Sequence, residues 1–241
     1  MSIVVVAVVL AAVLFYALKL TKKRTAAFRA MAPAMGYTYV GDRSPFTGTD
    51  MAGLTLITDT NRHRYRNVIA AADQRPVVVP EFVYGLYLGM NRRGKGAVTQ
   101  GDFHNHSLVL YRVPHGSVPV FQLSARGAFG NMDVPLDETG FAGIRRKAGL
   151  DLGNAAFSER YVVSTADESQ VRMLFTPWLV KALLEQPPHT WLHIQASADW
   201  LLFYDPAMML FEPERVKPAL ERIAPIAEAI MGTPGASGAA L

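Results

Sequence analysis

The strongest constraint on this chain is a run from Ile3 to Leu18 (IVVVAVVLAAVLFYAL) that carries no charge and one polar side-chain atom, the Tyr16 hydroxyl. At ~1.5 Å per residue the run covers roughly 24 Å, short of a hydrocarbon core of ~30 Å. Met1, Ser2 and Leu20 extend it, and Lys19 can lift its ammonium toward the headgroups, which brings the span to roughly 20 residues. A core helix of a soluble domain would show a polar stripe, and this segment shows none. A cleaved signal peptide would place Lys or Arg before the apolar run and a small-residue site after it; here the cations follow instead. The expectation is a single uncleaved transmembrane helix over residues 1–20.

Charge then acquires a location. The formal net charge is +4, from 24 Lys+Arg against 20 Asp+Glu. Lys19, Lys22, Lys23, Arg24 and Arg29 all precede the first acid, Asp42, and leave the remainder one unit negative. The basicity is a collar on the helix, so a nucleic-acid-binding domain is not implied. Cations in that place predict, by the positive-inside bias, an N-terminus outside and the rest of the chain in the cytoplasm. The same five residues are the candidate contacts to anionic lipid headgroups, each cation near the surface contributing about 1 kcal/mol. Helical spacing continues through Phe28, Met31 and Met35, so residues 21–35 read as a basic juxtamembrane helix. It either packs those three residues on the domain or lies on the lipid surface.

Beyond Gly36 the pattern turns to short β-branched and aromatic runs bounded by turn residues. Strands are expected at Tyr37–Val40, Gly53–Thr58, Arg66–Ala72, Val77–Leu88, Ser107–Val113 and Val118–Leu123. The fourth is apolar on both faces and therefore central. Later, Phe157–Thr165 reads as an approach and a strand, Asp167 as the cap of a helix ending at Leu174, and Thr176-Pro177 as a helix start. That helix buries Leu179, Val180, Leu183 and Leu184 and stops before Pro187-Pro188. Trp191–Gln195 and Trp200–Tyr204 form a hairpin. A last helix begins near Pro213 with a stripe of Val216, Leu220, Ile223, Ile226 and Ile230, and Pro218 and Pro225 should kink or break it. The fold class is α+β: one transmembrane helix, then a domain over 36–231 with antiparallel sheet and a few packed helices, divisible near 130–155 into two subdomains. Residues 232–241 read as a disordered tail.

No catalytic constellation stands out. Gly89 to Gly96 matches G-x-x-x-x-G-K, but Gly96 sits where a magnesium-binding Ser or Thr belongs, and a strand follows where a helix should. His104 and His106 share a face in a strand and could ligate a metal with His63 or Asp102, although such a pair is expected by chance among six histidines. His189 and His193 read as a loop and a strand histidine. Asp133, Asp137, Glu138, Glu212 and Glu214 read as solvated acids, the last two suiting a helix start. There is no nucleophile elbow, and the absence of cysteine excludes thiol chemistry, disulfides and Cys-ligated metals. Neither a cofactor nor a metal site is expected.

The motifs Phe157-x-x-x-Tyr161-x-Val163-x-x-Ala166-Asp167, Leu174-x-Thr176-Pro177 and Leu210-Phe211-Glu212-Pro213 are the basis of a resemblance. So are Gly36-Tyr37-x-Tyr39, Asn67-Val68-Ile69 and Phe82-x-Tyr84. From about Met35 to Ile230 the chain resembles a broad family of uncharacterised bacterial membrane-anchored proteins, with one or two N-terminal spans and a cytoplasmic α+β domain. It departs from the pattern at Ala71 and Ala72, where a glycine is expected, and at Val83, where an acid usually stands beside Phe82. In layout it is also similar to mycobacterial accessory proteins that assist envelope-lipid export. The resemblance implies membrane association and supplies no catalytic residue. The expected role is a non-enzymatic module of the bacterial inner membrane that binds an integral membrane partner. The alternatives are a lipid or small-ligand binder at the bilayer surface, and a hydrolase or metal enzyme using His104, His106 and loop acids.

Overall fold

In the computed structural model, the residues described are 3–44, 54, 57, 62–71, 76–85, 103–114, 116–126, 149–187, 190, 192–197, 199–205 and 212–232. Helix α1 runs unbroken from Ile3 to Ala34. Its side chains from Val5 to Leu20 are all exposed, and the helix is long and apolar enough to cross a membrane. Below that level it becomes one-sided: Phe28 and Ala32 are fully buried, and Met31 and Met35 pack partly against the same core. The second half of the helix therefore packs on the domain. Gly36 ends it at φ +73°, the Gly36 amide donating to the Pro33 carbonyl and the Tyr37 amide to that of Ala32. This left-handed glycine stop turns the chain back into the sheet.

Nine strands of the described chain make one sheet, all of whose recorded pairings are antiparallel. They are β1 (Thr38–Gly41), β2 (Arg62–Arg66), β3 (Val68–Ala70), β4 (Val77–Gly85), β5 (Phe103–Arg112), β6 (Phe121–Ala125), β7 (Tyr161–Thr165), β8 (His193–Ala196) and β9 (Trp200–Tyr204). Their order is β1-β3-β4-β5-β9-β8-β6-β7, with β2 continuing the line of β3 along β4. The apolar strand is central as expected, and β8 and β9 form the expected hairpin. Of Gly53–Thr58 only Leu54 and Ile57 are described, both buried, and Ile57 is helical.

Short helices follow: α2 (Ala155–Arg160), α3 (Glu168–Leu174), α4 (Pro177–Leu184) and α5 (Val216–Met231), the last preceded by a 3₁₀ turn at Pro213–Arg215. Asp167 and Thr176 cap α3 and α4 with their side-chain oxygens, as their positions in the sequence predict. The expected break in the last helix does not occur. Pro218 lies in the first turn of α5, where amides have no helical partner, so it removes no bond. Pro225 does lie inside, but α5 continues to Met231 because Ile223, Ile226, Ala227 and Ile230 are buried on either side of it. Burial of that stripe outweighs one missing bond.

The sheet separates two cores. One contains Phe28 and Ala32 together with Ile69, Val78, Val109, Phe203 and the buried faces of α4 and α5. The other contains Tyr65, Val68, Val79, Phe82, Leu108, Trp200 and Tyr204 with Leu54 and Ile57. Most of 130–155, the basic loop around Gly89–Gly96, His189 and residues 233–241 lie outside the described residues.

Candidate functional site at the junction of anchor and sheet

The junction begins with a proline inside an apolar strand. Between Val79 and Phe82 the pairing of β4 with β5 shifts by one residue, since Pro80 offers no amide to the ladder. The carbonyl of Pro80 accepts the Ser107 hydroxyl at 2.7 Å instead. On the other flank of β4, Asn67 separates β2 from β3 with φ +57°, a left-handed conformation that Asn tolerates better than most residues. Together the two irregularities leave Glu81 buried on the face where α1 lies.

Glu81 then receives two cations. Arg24 Nη2 stands 2.7 Å from its Oε2 and Arg66 Nη1 3.3 Å from its Oε1. Next to it, the Asn67 side-chain oxygen accepts from the Thr25 hydroxyl at 3.0 Å and the Tyr39 hydroxyl at 3.2 Å. The Asn67 amide donates to Asp42 Oδ1 at 3.1 Å. The Arg29 guanidinium lies over the Tyr39 ring, 5.3 Å from its centroid. Burial pushes the Tyr39 hydroxyl above its usual range, Asp42 adds to this, and Arg29 and Thr25 oppose it. The network gives each charged or polar group named in it a partner within the protein. Its chemistry is that of a clamp.

The five cations proposed for the membrane surface therefore divide. Lys19, Lys22 and Lys23 are exposed, Arg24 is committed to Glu81, and Arg29, also exposed, sits over Tyr39. Glu81 was not singled out in the sequence, although a proline and an acid inside an apolar strand signal a bulge with a purpose. It stands on the other side of Phe82 from Val83.

The histidine positions considered for a metal lie on β2 and β5. His63 and His104 both register with Tyr84, from opposite neighbouring strands. Strand spacing puts their backbones about 10 Å apart. Asp102 lies outside the described residues. Among the described residues no group of three His, Asp or Glu side chains could hold an ion. His106 and His193 instead flank Tyr204, His193 stacked at 4.7 Å and 11°, His106 tilted at 5.7 Å. Burial, helped by the neighbouring His106, lowers the His193 pKa to about 4.

No protein-family model matches the chain, and no curated protein does. Among solved structures, the crystal structure of the mycobacterial trehalose monomycolate transport factor A, TtfA, is similar to it. The similarity covers 84% of this chain and 96% of that one, at 13% identity and a TM-score of 0.42. Likeness at that level transfers no function.

The clamp makes a direct prediction. Glu81→Gln leaves two guanidiniums facing each other with no countercharge. Losing one partner of a fully buried pair costs 3–5 kcal/mol, and the partial exposure of Arg24 and Arg66 lowers the expected cost to about 2 kcal/mol. Denaturant midpoints of the full chain in detergent micelles measure it. Arg24→Gln combined with Glu81→Gln should recover part of the loss, because it removes the repulsion as well.

Proposed function

We propose that the chain is a single-pass protein of the bacterial inner membrane, N-terminus outside and α+β domain in the cytoplasm, acting as a non-enzymatic accessory module. Its partner is an integral membrane or envelope-associated protein. The observation that carries this reading is the division of α1. Its first half is apolar and exposed, while its second half places Phe28 and Ala32 in the core and is clamped through Arg24 to Glu81. A flexible tether would suffice to hold an enzyme near a membrane. A continuous helix locked to the sheet fixes the height and tilt of the domain, which suits a module that meets a neighbouring membrane protein in one pose. The exposed Lys19, Lys22 and Lys23 support the cytoplasmic side by the positive-inside bias.

The full chain captured in mild detergent is expected to bring down a discrete integral membrane protein, and Glu81→Gln to weaken that recovery. Recovery of nothing above background would sink the reading. A C-terminal reporter active only outside the cytoplasm would overturn the orientation.

A second reading, a lipid or small-ligand binder, rests on an open groove of about 520 Å³ lined by Arg126, Leu150, Asp151, Asn154, Ser158 and Tyr161. Native mass spectrometry of the detergent-released protein tests it through a co-purified mass.

A further inference from the structure

The direction of α1 relative to the strands fixes which end of the sheet faces the bilayer. The C-terminal end of α1 turns into β1, whose Thr38 registers with Ala70. Moving toward the N-terminus, Arg29 lies over Tyr39, Thr25 meets Asn67, and Arg24 meets Glu81. Along the sheet these contacts climb β3 and β4 from Ile69 toward Gly85 and Arg62. Strand β4 continues four residues past Glu81 to Gly85, about 13 Å at 3.3 Å per residue. The same direction on α1 takes five residues, about 7.5 Å, to reach Lys19. The anchor-side ends of β2, β4 and β5 therefore rise as high as the basic collar.

Among the described residues the charge on that end is predominantly positive. Tyr65 is buried in the core on the far face, its ring 5.3 Å from that of Phe82, so its neighbours Arg64 and Arg66 lie on the α1 face. Arg64 is exposed. Arg66 shares Glu81 with Arg24, so that cluster keeps one net positive charge. Arg43, just past the anchor-side end of β1, is exposed too. Among the described residues, Lys19, Lys22, Lys23, Arg24, Arg43, Arg64 and Arg66 outnumber the acids of this flank, Asp42, Glu81, Glu212 and Glu214. The Asp42 carboxylate already accepts from the Asn67 amide. The 3₁₀ turn at Pro213–Arg215 also packs against α1, so Glu214 and its neighbour Glu212 stand on this flank as well, Glu212 paired with Arg215.

We propose that this end of the sheet, with Arg64 at its centre, is a second membrane contact that docks on the phosphates of anionic lipid headgroups. Anchor and sheet edge then grip the bilayer at two places, which defines the rotation of the domain about the helix axis as well as its height. The inference rests on the anchor reading above and deepens it.

The chain has no cysteine, so single-cysteine labelling needs no background substitution. In the full chain reconstituted in nanodiscs, His63→Cys carries a fluorophore on β2 with every arginine intact. Met173→Cys, exposed on α3 at the opposite end of the sheet, and Val9→Cys, in the apolar half of α1, serve as references. The discs are phosphatidylcholine alone or an equimolar mixture with phosphatidylglycerol, each with a headgroup-attached spin-label quencher. Quenching at position 63 is expected to exceed that at 173 and to rise about twofold with phosphatidylglycerol. The rise should vanish in Arg64→Glu and at high salt. Equal quenching at 63 and 173 with Val9 protected from aqueous quencher would overturn the sheet contact and leave the anchor standing. Quenching at 63 indifferent to phosphatidylglycerol or to Arg64→Glu would overturn headgroup recognition. Val9 open to aqueous quencher would overturn the anchor and the contact together.

Discussion

Phe28→Ala is expected to cost about 3–5 kcal/mol of domain stability, the usual range for emptying a fully buried phenylalanine site. Phe28 belongs to a helix long and apolar enough to cross a membrane, yet its ring is wholly buried in the larger core, which also holds Ile69, Val78 and Val109. Removing it creates a cavity where α1 meets the sheet, and neither rigid element can relax fully to fill it. Val9→Ala is the matched contrast, since Val9 is exposed and touches no core. Its effect on domain unfolding in micelles should lie within about 0.5 kcal/mol. Phe28→Leu, which keeps most of the volume, should recover much of the loss. Denaturant midpoints from near-UV circular dichroism would report all three. Equal behaviour of Phe28→Ala and Val9→Ala would mean that α1 is a mere leash.

The mechanical consequence is that anchor and domain unfold as one unit. Phe28 supplies the apolar grip, Arg24 and Thr25 the polar one, and all three lie within five residues of a single helix. Any partner docked on the domain would therefore bear directly on the apolar first half of α1. A Phe28→Ala variant should lose membrane-partner recovery together with the Glu81→Gln variant, although the two substitutions weaken different physical terms.

Local signals were legible and long-range ones were not. The spacing of Phe28, Met31 and Met35 marked the packing face of α1, but Ala32 went unremarked because a methyl group carries little periodic signal. Asp167 and Thr176-Pro177 named their caps correctly because capping is decided within four residues. Strand β6 begins at Phe121, later than the Val118 expected, since Pro119 cannot donate to a ladder. Strand β2, RHRYR, lies mostly outside the expected strands, which resume only at Arg66. Its alternation was the signal: Tyr65 is buried while Arg64 stays exposed. The clamp was illegible for a different reason. Arg24 and Glu81 are separated by 57 positions, and only the bulge at Pro80 and the left-handed Asn67 bring them together.

His193 gives the second large effect, and it depends on pH. Its pKa in the fold is about 4 against an ordinary value of 6.5, because the imidazole is buried against Tyr204 with His106 nearby. The fold therefore keeps the ring neutral, while the unfolded chain takes up a proton as pH falls through 6.5. The contribution is fully present above that value and is lost between there and about pH 4, below which both states are protonated. At 1.36 kcal/mol per unit the loss sums to about 3 kcal/mol. His193→Phe keeps a ring against Tyr204 and removes the titration. Its stability should fall less than that of the parent between about pH 7 and pH 4.5, by about 3 kcal/mol, in denaturant midpoints taken across that range. Curves that stay parallel through the interval would show that His193 is neutral in neither state's favour. Because the ring sits on β8 beside Tyr204, an acid-driven loss would begin at that end of β8 and β9.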